Sequence, residues 1–327
     1  MTKKKAEIQK YEDVRAVNNT ALGYFLISPL EFKKYYDNPI ESKGEWYDVG
    51  SAFHCLILQP ELFDDKFVVF DYEKPNSEQK RIFAEDCLEW TNEEIEALYS
   101  KVYSIKGKSD VKIAEEASKL FQEVASYIAY LKLRENGKTI LTSKSIDIVQ
   151  NCVRSLRANP KAEGIVTIPN LFGDDLKAYN ELEIYFKYKS VDCKSKIDRL
   201  IVDKAKKRIT IVDFKTTSKK INKFCESFVE YDYERQFAFY AIAVYEFLDK
   251  QIGLPDLPNY EVAIVCPIVS TKEPFESRIF AIPLERIGYC SAKIKEQLED
   301  LDWHFNTKNW NYPKCYYEGE GYEVLDY

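Results

Sequence analysis

The sequence predicts an α/β fold with a mixed central sheet flanked by helices and a helical N-terminal half. Three observations carry this. Helical spacing dominates the first half, as in NEEIEALYSKVYSI (92–105) and VKIAEEASKLFQEVASYIAYLKL (111–133). From 178 the pattern turns to alternation. A pair of apolar strands around a short charged turn is then followed by a helix, two further strands and a helix.

The elements follow in order. SPLEFKKYYDNP (28–39) is a helix opened by Ser28, with Pro29 at its first position and Pro39 past its end. A second helix runs from about Tyr47 to Leu58 and stops near Pro60. Residues 77–135 are helical in spacing. TSKSIDIVQNCVRSLRANP (142–160) is a further helix, with Thr142 or Ser143 as its cap. AYNELEIYFKYKS (178–190) sets Leu182, Ile184 and Phe186 against Glu181, Glu183 and Tyr185, which is strand behaviour. KSKIDRLIVD (194–203) and KRITIVDFKTT (207–217) form a hairpin. YERQFAFYAIAVYEFLDK (233–250) is a helix. NYEVAIVCPIVST (259–271) and ESRIFAIP (276–283) are strands, and a last helix covers about 284–305.

Composition excludes several classes. The chain has 327 residues with charged and aromatic contents of 31% and 14%, those of a folded protein. No run approaches the roughly 18 apolar residues of a membrane span. The N-terminal lysines have no apolar run behind them, so no secretory signal is expected, and no membrane association. Eight cysteines are scattered with no CxxC pair, which argues for reduced core residues in the cytoplasm and against a zinc ribbon or iron–sulfur cluster. The net charge is −7, but residues 190–223 hold eleven Lys or Arg against four Asp, a local +7. Taken alone, such a stretch is a solvated lysine-rich hairpin.

The hairpin also carries chemistry. If Val202 faces Ile209, then Leu200 faces Ile211 and Asp198 faces Asp213, with Lys215 one step further on the same face. Both faces of both strands are apolar, so the pattern leaves this register a choice. Opposed carboxylates are destabilising unless one protonates, a base intervenes or a divalent cation sits between them. Oxygen ligands without thiolates suit Mg²⁺ or Mn²⁺. By itself D-x-K is short and common, and a surface ion pair is the plainer reading. Glu181 or Glu183 could extend the acidic cluster, one of them being solvent-facing. His54, in the apolar helix GSAFHCLIL, would alone be a hydrogen-bonded core residue. His304, between Trp303 and Phe305, reads as structural. Gln236 and Tyr240 share one face of their helix.

Together, ID at 197–198, DFK at 213–215 and QFAFY at 236–240 resemble the PD-(D/E)xK nuclease superfamily, and within it the RecB-like branch. LISPLEFKKYYDNP (26–39), GSAFHCLILQPELFDDKFVV (50–69), GKTILTSKSIDIVQNCVRSLRANP (137–160) and NWNYP (309–313) are similar to the phage exonuclease VIII (RecE) catalytic family. The likeness covers most of the chain from about residue 22.

The resemblance implies a restriction-endonuclease-like core and a single nuclease domain over 1–327. Residues 1–20 would be a loose tail and 77–135 a variable helical insertion. It implies a magnesium-dependent 5′-to-3′ exonuclease on double-stranded DNA ends, with Mn²⁺ able to substitute. The enzyme would be a homo-oligomer working beside a RecT-like single-strand annealing protein, in the cytoplasm of a bacterial host and encoded by a phage or prophage. Alternatives are a structure-specific or single-strand nuclease, or a catalytically silent DNA-binding protein on the same fold. Carried over by motif, His54, Asp198, Asp213 and the Phe214 carbonyl are metal ligands and Lys215 is the catalytic lysine. Glu181 matches a further acidic position. Gln236 and Tyr240 support the site or touch DNA, and Lys194, Lys196 and Arg199 belong to a basic hairpin (194–223) that would hold the phosphate backbone. The superfamily's proline before the first acid is Ile197 here.

Overall fold

The computed structural model describes residues 11–40, 44–87, 94–168 and 175–322. Its contacts divide the chain into two compact units: residues 1–42 with 154–327, and residues 43–153.

The first unit opens with α1 (Asn19–Ile27) and α2 (Pro29–Asp37). Asn18 caps α1, its side chain accepting from the Ala21 N–H at 2.8 Å. Ser28 caps α2 as its sequence indicated, accepting from the Glu31 N–H at 3.1 Å. The run behind α1 is apolar on all sides, so periodicity does not reveal that helix. The segment before it is anchored, contrary to the expectation of a loose tail up to residue 20. Val17 is fully buried and exchanges backbone hydrogen bonds with Asp192 and Lys194, each 2.8 Å.

The second unit holds α3 (Glu45–Leu58), the short α4 (Phe63–Lys66), β1 (Phe67–Val69), α5 (Glu78–Asp86), α6 (Ile95–Val102), α7 (Asp110–Glu135) and β2 (Thr139–Leu141). Helices α5, α6 and α7 share a core built on Phe83, Leu98, Ala117, Val124 and Ile128. Strands β1 and β2 pair in parallel. Next comes α8 (Ser143–Ala158), whose cap is Thr142: its Oγ1 accepts from the Ser145 N–H at 3.1 Å.

The chain continues through α9 (Pro160–Val166), β3 (Leu176–Tyr188), β4 (Val191–Asp203), β5 (Arg208–Val212), β6 (Lys215–Thr217), α10 (Phe224–Glu230) and α11 (Tyr233–Glu246). It ends with β7 (Glu261–Ser270), β8 (Ser277–Ala281), α12 (Leu284–Thr307) and α13 (Lys314–Glu318). The six strands β3 to β8 form one mixed sheet in which β5 and β6 both run parallel to β7, while the pairs β3–β4, β4–β5 and β7–β8 are antiparallel. This is the expected α/β class, with helices α1, α11 and α12 supplying Leu22, Phe237, Phe239, Ile294 and Leu298 to the core beside the sheet. His304 is fully buried there against Trp310, Phe25 and Trp303, as a structural residue.

Two irregularities shape the sheet. Strands β5 and β6 are a single strand interrupted for two residues. Arg208 to Val212 pair with Glu261 to Val265, and Lys215 to Thr217 pair with Ile268 to Ser270, the same register throughout. The gap is Asp213–Phe214. Elsewhere, β3 and β4 change face together. Tyr179 and Leu182 both pack on the main core, as do Ile197 and Leu200. Strict alternation would put the members of each pair on opposite faces. The switch lies at Glu181, whose φ is +49°, and at Asp198 opposite it; the flanking pairs Asn180–Arg199 and Leu182–Ile197 remain in register.

Candidate metal and catalytic centre

The strand break builds the site. The Asp213 N–H still bonds the Val265 carbonyl of β7 at 3.1 Å. The next N–H, of Phe214, leaves the ladder and donates to Asp198 Oδ2 at 2.7 Å. One carboxylate therefore satisfies the backbone donor that the break releases. The hairpin register is the one that sets Val202 against Ile209 and Leu200 against Ile211. It brings Asp198 beside the DFK segment.

Asp213 is 1% exposed, and its carboxylate receives Lys215 Nζ at 2.8 Å (Oδ2) and 3.1 Å (Oδ1). Burial, the largest single influence, draws the lysine downward, but Asp213, Tyr240, Asp198 and Cys266 together outweigh it and hold Lys215 well above the ordinary lysine range. The amine is therefore a fixed positive charge at neutral pH. Gln236 of α11 donates from Nε2 to Asp213 Oδ1 at 3.4 Å and to the Tyr240 hydroxyl at 2.7 Å. Burial and the same carboxylate raise the Tyr240 hydroxyl well above its usual value.

Two neighbours escaped the sequence reading. Cys266 of β7 is fully buried, and its thiol points at Asp213 Oδ2 from 3.9 Å. Burial first, then the Asp213 charge, raises it far above a normal thiol. Nothing in the linear sequence links position 266 to position 213; only the parallel pairing of β7 does. Tyr233 carries Lys215 Nζ over its ring at 5.0 Å. Its spacing was readable, since Tyr233 precedes Gln236 by three residues and lies on the same helix face.

Glu181 and Asp198, at the face switch, offer carboxylate oxygens within 4.8 Å of each other. Lys196 balances Glu181 at 2.9 Å. Glu183 faces outward, exposed, and accepts from the Tyr185 hydroxyl. Converging carboxylates on adjacent strands form an oxygen donor set that fits a hard divalent cation. In the second unit, His54 sits on α3 as a partly buried residue, outside the fully buried core.

The model of a PDDEXK-like domain of unknown function (DUF3799) matches residues 21–319. The chain belongs to that family. Asp198 and the Asp213-Phe214-Lys215 triplet lie within the matched residues, joined in space by the broken strand. Among solved structures, the chain is similar to one described as "Putative exonuclease" from Eubacterium rectale, at 8% identity and a TM-score of 0.49, over 96% of this chain and 90% of that one. A search of curated proteins finds no match.

Three expectations for this PDDEXK-like chain need correction. Lys194 does not face DNA: it is 6% exposed, and its amine donates to the carbonyls of Tyr11 and Val14 at 2.6 and 2.7 Å. Arg199 is 1% exposed and donates to the Asn180 side chain and the Ile168 carbonyl, on the inner side of the face switch. The basic hairpin is also less available than its count implied. Lys206, Lys207, Arg208, Lys219 and Lys223 each face a carboxylate. The turn after β4 lies roughly 20 Å along the strand from Asp198. No helix among the described residues is long and apolar enough to cross a membrane.

Proposed function

We propose that this chain is a divalent-metal-dependent deoxyribonuclease that degrades double-stranded DNA from its ends, in the 5′-to-3′ sense. The observation that carries the reading is the strand break at Asp213–Phe214, beside which Asp198, Asp213 and Lys215 gather. Such a constellation suits phosphodiester hydrolysis, in which a hard cation lowers the pKa of water and withdraws charge from the phosphate. Mg²⁺ is the proposed ion, with Mn²⁺ as a substitute. Asp198, Asp213 and Glu181 hold it through carboxylate oxygens, and the resemblance adds the Phe214 carbonyl and the His54 imidazole.

Each side chain has a task. Lys215 opposes the negative charge that accumulates on the phosphate as the bond breaks. Gln236, fixed by the Tyr240 hydroxyl, orients the Asp213 carboxylate. Lys196 offsets the charge of Glu181 and lies within reach of a bound strand. End-dependence, 5′-to-3′ polarity, a ring-like homo-oligomer, a RecT-like annealing partner and a phage or prophage origin in a bacterial cytoplasm rest on the resemblance alone.

The test is a time course on end-labelled linear duplex and on closed circular duplex with Mg²⁺. The reading expects loss of label from linear DNA only, with wild type active and Lys215→Ala slowed. Cutting of circles favours the structure-specific alternative. No cleavage with any divalent ion ends the nuclease reading.

A further inference from the structure

Outward from Lys215 runs a short aromatic path that the chemistry above does not use. Tyr233 lies under the lysine and is wedged between Phe224 (5.9 Å, stacked) and Phe228 (6.1 Å, edge-on). Next to it, at 5.8 Å and tilted by 47°, is the ring of Tyr231, which is 53% exposed. Tyr231 stands in the two-residue link between α10 and α11. That link is held in shape: Asp232 takes the left-handed conformation (φ +50°) and accepts from Arg235 Nε at 2.7 Å. Lys219 lies 5.5 Å above the Tyr231 ring with its charge committed to Glu230.

We propose that Tyr231 is the stacking platform for a nucleobase at the end of the DNA strand being degraded. The inference rests on the nuclease reading and adds to it a subsite for a base within a few nucleotides of the reacting phosphate. Tyr231 presents a large planar side chain to solvent, and its aromatic neighbour Tyr233 leads directly to the lysine. The cation above the ring is already paired, so the surface favours a neutral π-face over a phosphate. Successive nucleotides of a strand are spaced by about 3.4 Å, so a phosphate beside Lys215 leaves a base within a few nucleotides of Tyr231. Stacking accepts any base, as degradation without sequence preference requires.

The experiment measures binding in Ca²⁺, chosen to hold DNA without cutting it, on linear duplexes carrying 2-aminopurine at the terminal or at an internal position. Wild type, Tyr231→Phe and Tyr231→Ala are compared, and cleavage of linear duplex by wild type is measured in parallel with Mg²⁺. The proposal expects a change in terminal 2-aminopurine fluorescence with wild type and Tyr231→Phe, and its loss with Tyr231→Ala. It also expects Tyr231→Ala to bind DNA ends about tenfold more weakly. If wild type cuts linear DNA while Tyr231→Ala keeps the same affinity and the same fluorescence change, the subsite is overturned and the nuclease reading stands. If wild type neither binds nor cuts, both fall together.

Discussion

The Phe214 N–H donates to Asp198 Oδ2 at 2.7 Å, across a two-residue gap in the strand that pairs with β7. The same acid thus has a structural task, closing the break, and a proposed chemical one, holding a cation. The two separate by substitution. Asp198→Asn keeps an oxygen acceptor for Phe214 and should retain near-wild-type thermal stability while losing cleavage. Asp198→Ala leaves a partly buried N–H unsatisfied and should cost a further ~1–3 kcal/mol. Urea denaturation of the two variants checks the difference, and equal stabilities would refute the structural half.

Lys215 and Asp213 form a pair of which the acid is 1% and the lysine 20% exposed. Lys215→Ala should slow turnover ~100-fold or more. It should also destabilise the fold, by up to about 3–5 kcal/mol, because it strands a buried carboxylate. Adding Asp213→Asn should recover much of that stability and none of the activity. Thermal melts of the single and double variants decide whether the loss comes from the orphaned charge.

Glu181 and Asp198 bring two carboxylate oxygens within 4.8 Å of each other. A ligand that binds only the folded chain raises its melting temperature, and about 100 times its Kd contributes ~2.7 kcal/mol. Millimolar Mg²⁺ or Mn²⁺ should therefore raise the melting temperature, EDTA should reverse the rise, and Asp198→Asn should abolish it. An unchanged melting curve in Mn²⁺ would argue against a cation at these acids.

His304 gives a pH signature remote from that chemistry. Burial lowers its pKa below the usual value, against the partial support of the Asn309 carbonyl, to which its Nδ1–H donates. Its Nε2 has no hydrogen-bond partner among the described residues. The unfolded chain takes up a proton near pH 6.5 that the folded ring refuses. Stability from this residue is complete above about pH 6.5 and falls as the solution is acidified, by at most ~1.4 kcal/mol per pH unit, until the folded ring protonates. His304→Gln should flatten the denaturation midpoint between pH 7.5 and 5.5, whereas the wild type slopes downward toward acid.

Much of the fold was legible because its signals are local. Ser28 with Pro29 announces α2, Thr142 announces α8, and the apolar pairs Val202–Ile209 and Leu200–Ile211 meet in the register considered from sequence. The acid and lysine positions were readable for the same reason, since they sit on neighbouring strands of one hairpin. What could not be read depends on partners distant in sequence. Cys266 reaches Asp213 only through a parallel pairing across 53 residues. Lys194 looked like a surface cation until the backbone of residues 11–14 closed over it. Glu181 was separable from Glu183 only by the face switch, which a period-two pattern cannot express.

The backbone hydrogen bonds of Val17 also bear on the edge of the sheet. Strand β4 is far longer than β5, so beyond Arg199 its rim would lie bare; Val17 docks there against Asp192 and Lys194 and acts as a bumper. A bare rim of that kind is a template on which a foreign chain can add itself. One short stretch ahead of the first helix thus occupies part of an edge otherwise open to strand addition.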